Sequence, residues 1–263
     1  MSRSPETPVA ADIGISFDHH VALVEIRRPP HNFFDLELIR GLADMFEHLD
    51  TDANCRAIVL ASEGSAFCAG ANFSNRPVPP TQDGATNPLY FEAIRLFACA
   101  KPVVAAVQGP AIGGGLGLAL AADFRVTCAE GRFSANFTRL GFHPGFGLTV
   151  TLPRLIGQQN ASLLMYTGRR INGSEAVAMG LADRLVAQQD LRSEALNLAA
   201  ELAGSAPLAL QSTRATLRRN LVAQLKEAVA HESREQQRHF QTHDFREGVK
   251  AMAERRQPQF EGR

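Results

Sequence analysis

Two short runs without a single charged side chain, residues 57–61 (AIVLA) and 103–107 (VVAAV), each lead into a glycine-bearing loop, SAFCAGANF at 65–73 and VQGPAIGGGLGLALAAD at 107–123. Runs this short and this apolar suit strands covered on both faces, as in parallel sheets flanked by helices. Glycine just beyond such strands permits turns that other residues resist and lets another atom approach the backbone closely. The surrounding pattern agrees. Residues 13–28 read as two strands around a turn at Asp18-His19-His20, stopped by Pro29-Pro30. Asp35 reads as the N-cap of a helix, because Leu38, Ile39, Leu42, Met45, Phe46 and Leu49 follow at helical spacing. Helices are expected over 88–99, 115–122 and 147–156, and a strand over 124–128. The alternation predicts an α/β class with layered, mostly buried sheets.

Composition changes near residue 190. Beyond it the strand signal fades, and helices are expected over 191–203, 207–220, 224–240 and 244–256. The chain is therefore divided into a core, 1–190, and an all-helical C-terminal region, 191–263, whose natural use is oligomerisation. The ends, 1–8 and 257–263, read as frayed, and 75–87, with its three prolines, as a mobile loop facing the substrate.

With 263 residues the chain can bury a large core. Lys plus Arg and Asp plus Glu balance at 27 each, so bulk charge points to neither nucleic acid nor an anionic membrane. Cys55, Cys68, Cys99 and Cys128 lack the close paired spacing of metal sites and redox dithiols, and read as buried thiols in a reducing compartment. No apolar run approaches the length of a membrane span, and residues 1–12 lack a leader pattern. A cytoplasmic protein is expected.

The run Gly113-Gly114-Gly115 lies between a strand and an apolar helix, where backbone N–H groups lack partners within the helix and the helix dipole is positive. Phosphate often occupies such a place. A dinucleotide fingerprint would need glycine at Leu118, and a phosphate-binding P-loop would need Lys-Ser/Thr where Leu116-Gly117 stand; both fail. An enolate oxygen is the alternative, with Gly114 supplying one N–H and the loop at Gly70-Ala71 the other.

Several segments together carry a resemblance: AFCAGAN (66–72), KPVVAAVQGPAIGGGLGLALAADFRV (101–126), GRF (131–133), LGFHPGFG (140–147) and EGVKAMAERRQPQF (247–260). In order and spacing they resemble the crotonase, or enoyl-CoA hydratase/isomerase, superfamily. The resemblance implies a crotonase-like spiral of ββα repeats, a C-terminal helical trimerisation region, and a homotrimer or dimer of trimers. It implies an acyl-CoA thioester substrate, with coenzyme A as part of the substrate and no separate cofactor or metal. Ala71 and Gly114 match the oxyanion-hole positions; Asn72, Phe73 and Ser74 match the stretch lining the CoA channel, and Arg255 a basic residue that reaches CoA.

The resemblance also exposes departures. Hydratases of this family carry two glutamates that activate water, one two residues beyond the GGG run and one four residues beyond the phenylalanine of GRF. Here those positions hold Gly117 and Phe137. A dienoyl isomerase would place an acid near Gly145, and none is there. Without such carboxylates, water addition lacks its acid and base. His143, in a Gly/Pro turn next to the missing second glutamate, is the expected substitute proton carrier. Glu92 and Tyr90 are weaker candidates. His31 reads as a local cap, His19 and His20 as exposed turn residues, and His231, His239 and His243 as helix-surface or helix-end residues. Phe137, Phe142 and Phe146 suggest a dry acyl pocket. Besides a lyase, hydratase-type or isomerase step, this leaves open a His-assisted decarboxylase or hydrolase and a non-catalytic acyl-CoA-binding subunit.

Overall fold

The computed structural model describes residues 12–73 and 87–263; the expectations for the N-terminal end, for Ser74 and for nearly all of the proline-rich loop lie outside them. Strands β1 (Ile13–Asp18) and β2 (Val21–Ile26) form an antiparallel hairpin across a turn in which His19 takes φ of 50°. Asp35 then accepts a hydrogen bond from Leu38 N at 3.0 Å and starts α1 (Leu36–Thr51), whose buried stripe comprises Leu38, Ile39, Leu42, Ala43, Met45, Phe46 and Leu49. The chain continues through β3 (Ala57–Ser62), α2 (Pro88–Ala98), β4 (Val103–Val107), β5 (Pro110–Ile112), α3 (Gly114–Ala121), β6 (Phe124–Thr127) and β7 (Arg132–Ser134). After a single 3-10 turn at Thr138–Leu140 come α4 (Leu148–Thr167), β8 (Ile171–Asn172), α5 (Gly173–Ala178) and β9 (Arg184–Leu185). Four helices complete the chain: α6 (Leu191–Ala203), α7 (Pro207–Leu217), α8 (Leu221–Phe240) and α9 (His243–Ala253).

The main sheet runs β1-β2-β3-β4-β6-β9, parallel from β2 onward; Leu60 stands beside Val24 on one side and Ala105 on the other. Alternate residues of each strand feed two cores. Ile58, Leu60, Val103, Ala105 and Val107 join the larger one with α1, α2, α3 and α4, while Val59, Ala61, Val104 and Ala106 pack against Leu191, Ala195, Leu198 and Ala199 of α6. The compositional change near residue 190 thus coincides with no gap in packing. A second, three-stranded sheet, β5-β7-β8, was not foreseen, because its strands are only two or three residues long. All four cysteines are free and buried.

Three arginines bind the far ends of the central helices. Arg214 of α7 and Arg218 just beyond it reach Cys99 O, Phe97 O and Ala121 O at the C-termini of α2 and α3, and both pair with Asp123. Buried Arg125 donates to Ala122 O at 3.0 Å and to Leu181 O at 2.6 Å. Cations at these carbonyl ends oppose the negative pole of each helix and leave the positive N-terminus of α3 at the other end.

Candidate functional site

The two glycine loops meet edge to edge. Cys68 N donates to Pro110 O at 2.9 Å and Ile112 N to Cys68 O at 3.0 Å, so the first loop is stitched to β5 just before α3. On its other side Phe34 N donates to Gly70 O at 3.0 Å. Gly70 takes φ of +86°, and a Cβ there would lie 2.7 Å from Ile112 O and 3.7 Å from Gly114 N. Both the left-handed backbone and the crowding exclude a side chain. This geometry sets Ala71, the next residue, beside the first turn of α3. Among the described residues no hydrogen bond takes up the N–H of Ala71 or of Gly114. The Gly113 N–H, by contrast, is spent on Ser134 O at 2.8 Å.

Aromatic rings wall this place. A Cβ on Gly114 would come within 2.7 Å of Phe34 Cε1 and 3.5 Å of Phe146 Cδ2, and one on Gly113 within 3.8 Å of Phe137 Cζ. Phe142 joins Phe137 (centroids 5.3 Å apart) to Phe73 (5.6 Å), and Phe240 and Phe245 close the cluster behind it. Gly117, where the resemblance puts a hydratase glutamate, faces Phe146, whose Cδ1 would lie 2.6 Å from a Cβ. Phe146 is 2% exposed and holds φ of +63°, unusual for a bulky residue, between Gly145 and Gly147. The structure therefore brings Ala71, Gly114, Phe73 and Phe137 together.

His143 turns elsewhere. Its Nδ1 lies 2.8 Å from Pro144 O, and its ring stacks parallel to His239 at 6.5 Å and edge-on to His231 at 5.8 Å. It lines a cavity of about 470 Å³ together with Phe142, Thr138, Ser162, Tyr166 and His239; neither Ala71 nor Gly114 borders that cavity. His239 stands in the last turn of α8, at a helix end as expected, and burial lowers its pKa below the ordinary histidine value, against Glu235, whose charge and backbone hydrogen bond raise it. Arg255 stands exposed just past α9 with φ of 55°, and no described contact joins it to the glycine loops.

Comparison with known proteins fits this arrangement. The family model described as Enoyl-CoA hydratase/isomerase matches residues 16–263. The chain belongs to the enoyl-CoA hydratase/isomerase family. Among the relatives of this family, YngF of Bacillus subtilis is 34% identical over 250 residues, covering 93% of this chain and 96% of its own. The short-chain-enoyl-CoA hydratase of Clostridium acetobutylicum is 30% identical over 240 residues, covering 90% and 92%. The crystal structure of an enoyl-CoA hydratase/isomerase from Pseudoalteromonas atlantica T6c superposes with a TM-score of 0.86 at 29% identity, over 95% of this chain and all of that one. The α/β fold is that of the crotonase superfamily.

Other titratable candidates in this family member are engaged in structure. Against burial, which alone would raise it, hydrogen bonds from Arg95 and Arg40 hold the Glu92 carboxyl below the usual range, on the α1–α2 surface. Tyr90 is buried; burial, with help from Glu232, raises its pKa, and its hydroxyl donates to Gln236 Oε1 at 2.7 Å. Gln236 Nε2 in turn donates to His143 O at 2.9 Å. Asn32, not His31, ties the turn after β2: its Nδ2 donates to Glu63 O and Ala66 O at 2.8 and 2.7 Å, and its Oδ1 accepts from Arg28 N at 2.9 Å.

Glu232 is the residue that sequence reasoning missed. It is fully buried and accepts from Gly147 N at 2.9 Å, Thr149 N at 3.1 Å and Thr149 Oγ1 at 2.6 Å, capping α4 and fixing the turn that carries Phe146. A signal was present. Leu221, Leu225 and Val229 set a buried stripe on α8 that Glu232, Ser233 and Gln236 continue at helical spacing, which marks them as polar groups facing the core.

Proposed function

We propose that the chain binds an acyl-CoA thioester with its carbonyl oxygen between the N–H groups of Ala71 and Gly114, and that it acts by stabilising the enolate formed when the α-carbon gains negative charge. The observation that carries the reading is the pair of unspent N–H groups on adjoining loops, one of them at the positive end of a buried helix. Donors already aimed at the developing charge need no reorganisation, and one good donor is worth roughly 3 kcal/mol of barrier. Asn72, Phe73 and Ser74 follow directly along the chain and would lead toward CoA, with Arg255 as a cation for its phosphates.

Which enolate chemistry follows is argued from the walls. Phe137, Phe142 and Phe146 are all at most 5% exposed, and aromatic rings stand where a hydratase would have carboxylates. That surrounding favours loss of carbon dioxide from a β-carboxyl acyl-CoA over addition of water. The bond from the α-carbon to the carboxyl carbon breaks, its electron pair moves into the thioester enolate, and only a later proton is required. His143 would deliver that proton only across Phe142, so solvent is a competing source. A lyase or isomerase step through the same enolate shares the oxyanion site. Oligomerisation is part of the proposal: α7 leaves Leu208 81% and Leu217 75% exposed, which suits a trimer or a dimer of trimers.

Release of carbon dioxide from a β-carboxyl acyl-CoA tests the reading. Gly114→Pro deletes one donor and is expected to slow that release about a hundredfold or more. Undiminished release in that variant would refute the assignment, and no release by the unmodified protein despite tight binding would favour a binding subunit without turnover.

A further inference from the structure

The backbone between His143 and Thr149 is gripped by side chains from two distant helices. Phe146 holds φ of +63°, a conformation that glycine would take without strain and a bulky residue resists. Such a residue persists only where its surroundings over-determine it. Three buried side chains do so here. The Tyr90 hydroxyl, from α2, accepts from the Phe146 N–H and donates to Gln236 Oε1 at 2.7 Å. From α8, Gln236 Nε2 donates to His143 O at 2.9 Å, and Glu232 accepts from Gly147 N at 2.9 Å and Thr149 N at 3.1 Å. Position 145 must be small, since a Cβ there would strike both the Tyr90 hydroxyl and Gln236 Nε2. The α8 stripe also fixes the start of α2, because Ser233 Oγ accepts from Asn87 N at 3.0 Å.

What this grip delivers is the Phe146 ring. The ring spans the first turn of α3: a Cβ on Gly114 would come within 3.5 Å of its Cδ2, and one on Gly117 within 2.6 Å of its Cδ1. It also packs on Phe34, with centroids 5.7 Å apart. Phe34 in turn touches both donor loops, since its N donates to Gly70 O, its backbone bridges to Ala71, and its ring lies against Gly114. We infer that Tyr90, Gln236 and Glu232 are positioning residues of the oxyanion site: by holding the Phe146 ring against Phe34 and α3, they fix the separation of the Ala71 and Gly114 N–H groups. The inference rests on the reading that those two groups share one thioester oxygen. A misplacement of about 1 Å, caused far from the chemistry, can cost about a hundredfold in rate. Tyr90 is the middle link, bonded to the Phe146 backbone on one side and to Gln236 on the other.

Tyr90→Phe removes the hydroxyl alone. In release of carbon dioxide from malonyl-CoA it is expected to lower kcat about tenfold while KM changes less than about twofold, with circular dichroism reporting that the variant is folded. In a Phe146→Gly background the same substitution should lower kcat less than about twofold, because glycine holds the left-handed turn unaided. The chain has two tyrosines, so labelling with 3-fluorotyrosine gives two fluorine resonances, a measurement that needs binding alone. Saturation with butyryl-CoA should move the Tyr90 resonance and leave that of exposed Tyr166 in place. An unaltered kcat in folded Tyr90→Phe, an equal fall in both backgrounds, or a Tyr90 resonance unmoved at saturation would overturn the inference, while slowed release in Gly114→Pro would still uphold the oxyanion reading. Undiminished release in Gly114→Pro would instead remove that reading, and the inference with it.

Discussion

At the scale of single residues, the chemistry turns on what glycine permits and what phenylalanine occupies. Gly114 leaves its N–H accessible because Phe34 lies where a side chain would start, and Gly117 is small because Phe146 fills the neighbouring space. Restoring a glutamate at position 117 alone should therefore not restore water addition. Gly117→Glu is expected to destabilise the protein by about 3 kcal/mol through overpacking and an unpaired buried carboxylate. Adding Phe146→Ala should recover part of that loss, since the two sites share one space. Urea unfolding of the two single variants and the double variant measures the coupling; strictly additive losses would show that Phe146 is not what excludes the glutamate. These residue choices were legible in the sequence as departures from a family pattern, but the ring that fills the gap was not. Phe146 is distant from Gly117 along the chain, and only the left-handed turn between Gly145 and Gly147 delivers it there.

At the scale of elements, the first helix, the hairpin and the buried strands were legible because each repeats a period of two or of about 3.6 in its apolar residues. Strands β5, β7 and β8 were not, since two or three residues cannot display a period, and their pairing is dictated by the glycine loops. Helix α4 was read only to residue 156, yet it runs to Thr167 across a non-helical Gly157. Its N-terminus depends on Glu232 from α8, a long-range cap that local sequence cannot announce. Burial raises the Glu232 pKa above 4.5, against the three hydrogen bonds that favour its charged form. A carboxyl whose native pKa is raised binds its proton more tightly folded than unfolded. Its contribution is fully present below the ordinary glutamate value and is lost as pH rises through the native value. Glu232→Gln, which cannot ionise, should therefore gain on the unmodified protein as pH rises from about 4 to about 8 in urea unfolding. Parallel stability curves would contradict the assigned shift.

For the whole molecule, the glycine loops stand at one end of α3, and Arg125 of β6, Arg214 of α7 and Arg218 just beyond α7 stand at the other. Burial pulls Arg218 down to about 10, still charged at neutral pH, so α7 is anchored through polar contacts while its leucines face outward. Replacing Leu208 and Leu217 together by Asp should lower the mass found by analytical ultracentrifugation to that of a single chain without loss of helix signal; an unchanged mass would exclude α7 from the subunit contact. The central claim is narrower, that two main-chain amides grip one thioester oxygen. Infrared difference spectroscopy of an acyl-CoA labelled with carbon-13 at the thioester carbonyl tests it most directly. The bound carbonyl band should move to lower frequency than in free solution, and Gly114→Pro should reverse most of that shift. A thioester that saturates the protein with its carbonyl band unmoved would contradict the account.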